Sequence, residues 1–375
     1  MIIVYDVRVI ILKILNRFFL TDIQLLILLI ASTSFLVTLI LVPIAKGFGE
    51  KFNINDIPTT RKLHTKSIVR LGGVPIFIGF LCGLLSIFFT GNLDKFSLEN
   101  VSAYGRVLLF TGSAIFFLGL FDDLFKLSPK FRLGFQFIVA SIAWFNNLRI
   151  NSLGLGFISP NLDDLNIPTV ISFIITVIWI SGIINAINWM DGADGLATGL
   201  LIIASVSFFI IEYANNMQYL TCILASLIGA AMAFLIFNYN PAKIIMGDSG
   251  SYFLGFNLSI VSFISSTDNN SPFNVPVVIL IMFIPIADMI YVIFNRIIKG
   301  KVPLYPDKTH LHHRLLDTGL TQRQTVKIIW SLSALFSVIA LVIDGKINSI
   351  FIFYALIIHC LCNVRIREFF KNLLC

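Results

Sequence analysis

Amide and carboxylate side chains cluster in one stretch of an otherwise apolar chain. This stretch reads Asn185-Ala-Ile-Asn188-Trp-Met-Asp191-Gly-Ala-Asp194-Gly195. Asp191 and Asp194 are three residues apart, so on a helical turn they share a face, and the glycines let backbone approach whatever the carboxylates hold. Oxygen ligands on short side chains suit a hard cation such as Mg²⁺. The alternative interpretation is a polar loop between two helices.

Three further carboxylates stand at the ends of apolar runs. Asp122 and Asp123 are adjacent, so they titrate as a unit, and they can hold a metal, take a proton or pair with Lys126 and Arg132. Asp248 lies between Gly247 and Ser249-Gly250, where it can bind a cation or cap the next helix, and its backbone can approach a phosphate.

Cations and histidines form two more clusters. The first carries the cations Arg61, Lys62 and Arg70 together with His64, and it suits a phosphate or is an ordinary basic loop. The second reads His310-Leu-His312-His313-Arg314. If this segment is extended, His310 and His312 point one way and His313 the other. The segment has no accompanying cysteines and no regular ligand spacing, which argues against a zinc site. Hydrogen bonding to phosphate or sugar is therefore favoured.

A single acid, Asp288, falls inside an apolar run after Pro285. Such an acid is a candidate functional residue. Pairing with a neighbour, or capping backbone freed by the proline, is the preferred interpretation.

The elements that must position these residues are membrane helices. The chain has 375 residues, of which 57% are hydrophobic and only 13% charged, about half the charged fraction of soluble proteins, and its mean hydropathy is +0.91. This composition predicts an all-α polytopic membrane bundle forming one domain over residues 1–375. The net charge of +7 is explained by basic loops and does not require nucleic acid.

Apolar runs long enough to cross a bilayer predict about eleven spans, near 22–45, 72–90, 105–121, 131–147, 168–187, 195–213, 219–237, 251–265, 275–297, 324–343 and 347–363. Ser128-Pro129 is a typical helix start for the fourth. Residues 1–20 have the spacing of an interfacial helix. One side of the bundle carries 20 of the 27 basic residues, which predicts that this side and the C-terminus are cytoplasmic and the N-terminus is outside.

The ordered motifs resemble those of the polyprenyl-phosphate N-acetylhexosamine-1-phosphate transferases. The matching pieces are Asp122-Asp123 with Leu127 and Pro129, Asn185-x-x-Asn188-x-x-Asp191-Gly-x-Asp194-Gly, Gly247-Asp248-Ser-Gly-Ser, and His310-Leu-His312-His313. The last is similar to the bacterial branch that uses UDP-N-acetylglucosamine. The first basic loop departs from the family pattern, with Ser67 and Val69 where prolines are usual.

The resemblance implies an activity and its partners. Undecaprenyl phosphate, reached from the bilayer at the cytoplasmic face of the inner membrane, attacks UDP-N-acetylglucosamine, and UMP leaves. The product would begin a cell-envelope polysaccharide such as lipopolysaccharide. Mg²⁺ is the implied cofactor, with Mn²⁺ as an alternative, and a homodimer is left open.

The resemblance also implies roles for single residues. Asp248, Asn188 and Asp191 are the expected metal ligands. Asp122 and Asp123 would orient or deprotonate the lipid phosphate, with Asp191 and Asp248 also in the catalytic set. The expected substrate-binding residues are Arg61, Lys62, His64, Arg70, Lys126, Asn185, Asp194, His310, His312, His313 and Arg314.

Two other functions fit a polar membrane bundle. A secondary transporter for an anionic substrate also carries intramembrane acids, but usually near the midplane, whereas these acids gather near span ends on one side. The same transfer with another UDP-N-acetylhexosamine is the closer alternative.

Overall fold

The computed structural model describes residues 22–56, 67–87, 104–154, 165–268, 273–300 and 309–363. The predicted interfacial helix at residues 1–20 and the predicted phosphate-binding residues Arg61, Lys62 and His64 lie outside these ranges.

The described chain is mostly helical, as the composition predicts. In a hydrocarbon environment a helix satisfies every backbone hydrogen bond within its own segment, which is why the apolar runs take this form. The helices are α1 (Asp22–Lys51), α2 (Gly73–Leu85), α3 (Tyr104–Phe125), α4 (Pro129–Phe145), α5 (Thr169–Met190), α6 (Leu196–Ala214), α7 (Gln218–Asn238), α8 (Gly247–Asp268), α9 (Val275–Ile281), α10 (Phe283–Ile298), α11 (Leu311–Asp317), α12 (Gln322–Ile343) and α13 (Ile350–Cys362).

Each predicted span coincides with a described helix, or with the pair α9 and α10, but the count of eleven spans is not confirmed. Six described helices are long and apolar enough to cross a membrane, and the pair α9 and α10, bent by 84°, would make a seventh. Helices α2 and α13 are shorter, and α8 is less apolar than the six long helices because Ser, Gly and Asn recur along it together with Asp248. The sidedness of the termini remains a prediction.

Short strands join loops between the helices. Strand β1 (Asn55–Asp56) pairs with β2 (Ile68–Val69) in an antiparallel register. Strands β3 (Ser152–Gly154), β4 (Leu165–Asn166) and β5 (Phe273–Asn274) form a second small sheet in the order β4-β3-β5. The prediction of a purely helical protein therefore missed these pairings, whose strands are too short to leave a periodic pattern.

Helix α8 is the centre of the bundle and packs on α3, α5 and α2. Small residues allow these close approaches. At Gly119 of α3, an added Cβ would lie 2.5 Å from the Cα of Ser249. Helices α3 and α5 end, and α8 begins, at the same end of the bundle. This convergence brings together motifs that are more than a hundred residues apart in sequence.

Candidate active site

Asp248 lies in the first turn of α8 and is buried. Its Oδ1 accepts a hydrogen bond from the Asn188 amide at 2.7 Å, and its Oδ2 lies 2.8 Å from Nη2 of Arg70. Gly247 precedes it with φ of +76°, a backbone conformation that favours glycine. The glycine turn therefore sets the direction in which α8 starts, and a carboxylate from α8 meets an amide from α5.

Asp123 anchors that same turn from α3. Its carboxylate accepts from the backbone N–H groups of Asp248 (2.8 Å) and Ser249 (2.9 Å) and from the Ser249 hydroxyl (2.7 Å). Arg70 Nε lies 2.8 Å from the same group, whose side chain has no exposed surface. A carboxylate at a helix N-terminus satisfies free N–H groups and opposes the helix dipole. The geometry gives Asp123 a supporting position.

Asp122 has a different environment from its neighbour. Its Oδ2 is 2.6 Å from Nη1 of Arg132 on α4, and its Oδ1 accepts the Leu127 N–H at 2.8 Å. The Tyr252 hydroxyl lies 3.2 Å from Arg132 Nη1 and 3.4 Å from Asp122 Oδ2. The structure therefore confirms the alternative in which Asp122 forms an ion pair with Arg132. This pair lies beside Asp248, whose Oδ2 is 3.8 Å from Nη1 of Arg132.

Arg70 bridges two acidic motifs from the segment after β2. Its position follows from the β1–β2 pairing and from the Gly72 N–H, which donates to the carbonyl of Ile245 ahead of α8. Burial alone would lower the pKa of Arg70, but the carboxylates Asp248 and Asp123 beside it raise that pKa above its ordinary value. The guanidinium therefore stays charged and holds both carboxylates in place.

Asp191 and Asp194 separate into different roles. Burial raises the pKa of Asp191 well above its ordinary value, and the nearby carboxylates Asp248 and Asp123 raise it further, against the opposing effect of Arg70. Asp194 Oδ2 accepts from the Asn240 amide at 2.8 Å and the Ala242 N–H at 3.0 Å. Asp194 thus supports the loop that leads into α8, and its expected contact with the substrate remains a prediction.

The histidine segment is helical where the sequence analysis allowed an extended chain. Only His310 is extended, as the N-cap residue, and α11 starts at Leu311. Because the helix turns the side chains, the predicted split of His310 and His312 from His313 does not apply. The His310 and His312 rings stack at 5.8 Å, and His313 lies 4.3 Å from His312.

His312 is almost fully buried against the acidic stretch. A Cβ at Gly192 would lie 2.6 Å from its Nε2, so the glycine makes room for the ring. Neither ring nitrogen has a hydrogen-bond partner among the described residues. Burial, together with the neighbouring histidines, lowers the pKa of His312 from 6.5 to about 3. The ring is therefore neutral at physiological pH.

A cavity of about 340 Å³ opens at this convergence. Its lining carries four cations and two carboxylates, so the cavity has a net positive charge that suits an anionic ligand. The residues around it are Arg70, Asp122, Lys126, Leu127, Arg132, Asn188, Trp189, Asp248, Arg296 and His310.

Three polar cavity residues were not predicted as site residues: Trp189, Arg296, and Arg132, which was named only as an ion-pair partner of the acids. The Arg296 guanidinium lies 5.0 Å from the Trp189 ring centroid, and Arg296 is buried. A signal was present, because the charged residues Asp288 and Arg296 are eight apart in an apolar run and so share a helix face, and the structure buries both of them with Val292 on α10. The charge at the end of that run marks a helix face turned toward protein.

Other predicted site residues lie around the cavity without lining it. Asn185 donates to Gln136 (2.6 Å) and to the Ser181 carbonyl (2.7 Å), and Arg314 sits 4.0 Å from the Tyr291 ring centroid. Their contacts with a substrate remain predictions, as do those of His312 and His313.

The cavity offers donors for a hard cation. Asp248 and Asn188 supply carboxylate and amide oxygens, whereas Asp191 is not part of the lining. Among the described residues no three His, Cys, Asp or Glu side chains form a ready metal cage. Mg²⁺ is nevertheless usually bound by one or two protein oxygens, and substrate phosphates and water complete its coordination shell. The donor set therefore fits a magnesium ion that binds together with its substrate.

Comparison with known proteins identifies the family of this chain. Residues 105–266 match glycosyl transferase family 4, which covers the acidic motifs from Asp122 to Asp248. A Bacillus subtilis (strain 168) protein, the probable undecaprenyl-phosphate N-acetylglucosaminyl 1-phosphate transferase, is 33% identical over 329 residues, 87% of each chain. This chain belongs to glycosyl transferase family 4. The resemblance inferred from the motifs is confirmed.

Two further relatives of this family-4 chain come from other bacteria. The Escherichia coli (strain K12) undecaprenyl-phosphate alpha-N-acetylglucosaminyl 1-phosphate transferase is 27% identical over 315 residues, covering 83% of this chain and 82% of its own. The Mycobacterium tuberculosis (strain ATCC 25618 / H37Rv) decaprenyl-phosphate N-acetylglucosaminephosphotransferase is 31% identical over 301 residues, covering 73% and 71%. These relatives are polyprenyl-phosphate sugar-phosphate transferases, and the apolar helices make this family member a multi-pass membrane protein.

Proposed function

We propose that this protein transfers N-acetylglucosamine-1-phosphate from UDP-N-acetylglucosamine to undecaprenyl phosphate and releases UMP, at the cytoplasmic face of the inner membrane. The observation that carries the proposal is the cavity in which Asp122, Asp248 and Asn188 meet Arg70 and Arg132. Carboxylates facing cations around a polar cavity suit phosphoryl transfer, in which positioning and charge neutralisation supply most of the catalysis.

The bond changes follow from the two substrates. An oxygen of the lipid phosphate attacks the sugar-linked phosphorus of the UDP-sugar, the bond from that phosphorus to the bridging oxygen breaks, and UMP carries the electron pair away. Arg70, Arg132 and Lys126 would hold the phosphate oxygens and offset their charge. Asp122, facing the cavity from α3, would orient the lipid phosphate or accept its proton.

Asp248 and Asn188 are the residues that would hold Mg²⁺. The geometry supports them more than Asp191, because both line the cavity and bond each other, whereas Asp191 is not part of the lining. When bound, the ion would supply charge neutralisation at the pyrophosphate. Arg70 now pairs with Asp248 Oδ2, so the same carboxylate can exchange a guanidinium for a cation.

The experiment uses purified protein in nanodiscs. UMP release is measured with UDP-N-acetylglucosamine in the presence and absence of undecaprenyl phosphate, with MgCl₂, MnCl₂ or EDTA. UMP that depends on both the lipid phosphate and the divalent cation is the expected result. Turnover that ignores the lipid phosphate would refute the proposed acceptor, and turnover in excess EDTA would refute the metal.

The same preparation distinguishes the alternatives. UDP-N-acetylgalactosamine in place of UDP-N-acetylglucosamine tests the sugar, because faster UMP release with it would reassign the donor. Radiolabelled UDP-sugar uptake into sealed proteoliposomes lacking lipid phosphate tests transport. Accumulation inside the vesicles without UMP release would favour a transporter.

A further inference from the structure

Asp288 is a buried carboxylate to which neither the motifs nor the proposed chemistry gives a role. It lies on α10, is 3% exposed, and stands in an apolar helix where an acid is costly unless its oxygens are satisfied. Both oxygens are engaged. Oδ2 lies 2.7 Å from Nδ1 of His310, and Oδ1 accepts the Leu311 N–H at 2.6 Å. Both carboxylate oxygens therefore bind groups at the N-terminus of α11.

These two bonds fix His310 in different ways. The N-cap side chain of α11 makes no hydrogen bond to its own helix, so Asp288 supplies the acceptor that the first turn lacks. The second bond fixes the imidazole itself. Trp189 packs edge-on against the ring, with centroids 5.6 Å apart. Backbone and side chain of His310 are thereby held from three sides.

The pairing also decides which ring nitrogen carries the proton. An ionised carboxylate can only accept, so Nδ1 must donate to Asp288, and when the ring carries a single proton its Nε2 is then an acceptor. His310 lines the cavity. Among the described residues Nε2 has no hydrogen-bond partner, so this nitrogen offers an acceptor at a cavity that also carries four cationic donors.

We propose that Asp288 is a positioning residue of the transfer reaction, which fixes the Nδ1–H tautomer of His310 so that Nε2 accepts a hydroxyl or N–H group of the sugar nucleotide. The inference rests on the proposed function and deepens it. Phosphate oxygens are acceptors and would be served by Arg70, Arg132 and Lys126, whereas Nε2 would recognise a donor on the sugar, the acetamido group or the base.

Substituting Asp288→Asn tests the tautomer directly. The Leu311 N–H is a donor, so the amide oxygen must face it, and the amide NH₂ is then directed at His310 Nδ1. That group can only donate, so the proton must move to Nε2 and the acceptor is lost. The variant can keep the contacts with the Leu311 N–H and the His310 ring, but Nε2 then carries a proton and donates where the wild type accepts.

The first readout needs no substrate. In ¹⁵N-histidine-labelled protein, the His310 signals are those that disappear in the His310→Gln spectrum. We expect the Nδ1–H tautomer in the wild type and the Nε2–H tautomer in Asp288→Asn. An unchanged tautomer in Asp288→Asn overturns the inference.

The second readout is kinetic. The ratio kcat/KM for the UDP-sugar is expected to fall about 10- to 100-fold in Asp288→Asn, mostly through KM, and Asp288→Asn should add little to His310→Gln in the double variant. Asp344→Asn is the matched control, because that residue also bonds an amide, Asn274, but lies beyond α12, away from the cavity. Full kcat/KM in Asp288→Asn, or additive effects, would contradict the inference.

A conservative variant separates positioning from simple stability. Asp288→Glu keeps an acceptor-only group, so it should retain the Nδ1–H tautomer and recover much of the kcat/KM lost in Asp288→Asn. A glutamate variant no better than the asparagine variant would overturn the inference. Failure of the proposed function would instead appear in the wild-type assay, as absence of UMP, while the tautomer measurement would be unaffected.

Discussion

Two adjacent aspartates show how far neighbouring residues can differ in this site. Asp122 lines the cavity and pairs with Arg132, whereas Asp123 is turned into the protein and bonds the first turn of α8. The sequence predicted a carboxylate pair at this place. It could not separate their roles, because the separation depends on which carboxylate meets the end of a helix 125 residues away.

The first prediction compares these two positions. Asp122→Asn should lower kcat by about 100-fold or more, because it removes a charge that faces the reacting groups, with a smaller loss of stability than Asp123→Asn because Asp122 accepts only one backbone N–H among the described residues. Asp123→Asn should also lower kcat severely, but with a loss of about 1–3 kcal/mol in stability, since it weakens bonds to buried N–H groups. Turnover and thermal unfolding are measured on the same preparations. Mild rate loss in both variants would leave the pair with a structural role only.

The second prediction concerns pH and His312. Its pKa is lowered to about 3 in the folded protein, so protons bind the unfolded state more readily. The stability that the buried neutral ring of His312 contributes is therefore fully present above about pH 6.5, and it is lost as the pH falls toward 3. His312→Gln should reduce the decrease in Tm between pH 7 and pH 5, whereas His359→Gln, on α13, serves as the control. An identical decrease in wild type and His312→Gln would contradict the assignment.

At the scale of the element, the start of α8 is the part on which the site depends. Its direction is set by Gly247, by Asp123 from α3 and by the Gly72 N–H, which bonds the preceding loop. The sequence predicted a span beginning near residue 251 with Asp248 as a possible cap, whereas the helix already begins at Gly247 and the Asp248 side chain binds Asn188 and Arg70. By contrast, Ser128 was predicted to open α4 and its side chain does accept the Phe131 N–H.

The third prediction uses two glycines of α3 that face α8. At Gly119 an added Cβ would meet the backbone of Asp248 and Ser249, so the helices must separate. At Gly112 the nearest atoms are 3.6 Å away, in ordinary contact. Gly119→Ala should cost about 1–3 kcal/mol and most of the activity, because Asp248 moves. Gly112→Ala is the control and should keep both; equal effects of the two variants would contradict the role of this contact.

Elements whose signal is short or non-local were the ones that could not be predicted. The helical form of the histidine segment depends on Asp288, which satisfies the Leu311 N–H from another helix. The three-stranded sheet joins segments more than a hundred residues apart through strands of two or three residues. Neither leaves a pattern of its own in the local sequence.

At the scale of the whole molecule, one end of the bundle carries the acidic motifs and the other carries the small sheet. Composition alone predicted a helical membrane protein, because the length of an apolar run can be read from the sequence without knowing how the helices pack. The number of spans is harder, because α8 is helical and buried yet carries polar residues, and α9 and α10 bend by 84°. The polar groups of these segments find hydrogen-bond partners in neighbouring helices, so the segments do not need the uniformly apolar sequence that lipid contact requires.

The fourth prediction is the sidedness of the bundle. In a variant freed of the native cysteines, Lys130→Cys at the start of α4 and Asn151→Cys beside β3 are both exposed sites. An impermeant maleimide should label Lys130→Cys only in inside-out vesicles and Asn151→Cys only in right-side-out vesicles. The reverse pattern would place the acidic cavity outside and contradict the cytoplasmic assignment.

The most direct test of the account compares Asp248→Asn with the wild type in the same proteoliposomes, measuring UMP released and lipid-linked sugar phosphate formed. The wild type should give the two products in equal amounts. Asp248→Asn should insert and fold normally, with both products reduced together by about 100-fold or more. Full turnover in Asp248→Asn would contradict the claim that the acids converging on this cavity carry out the transfer.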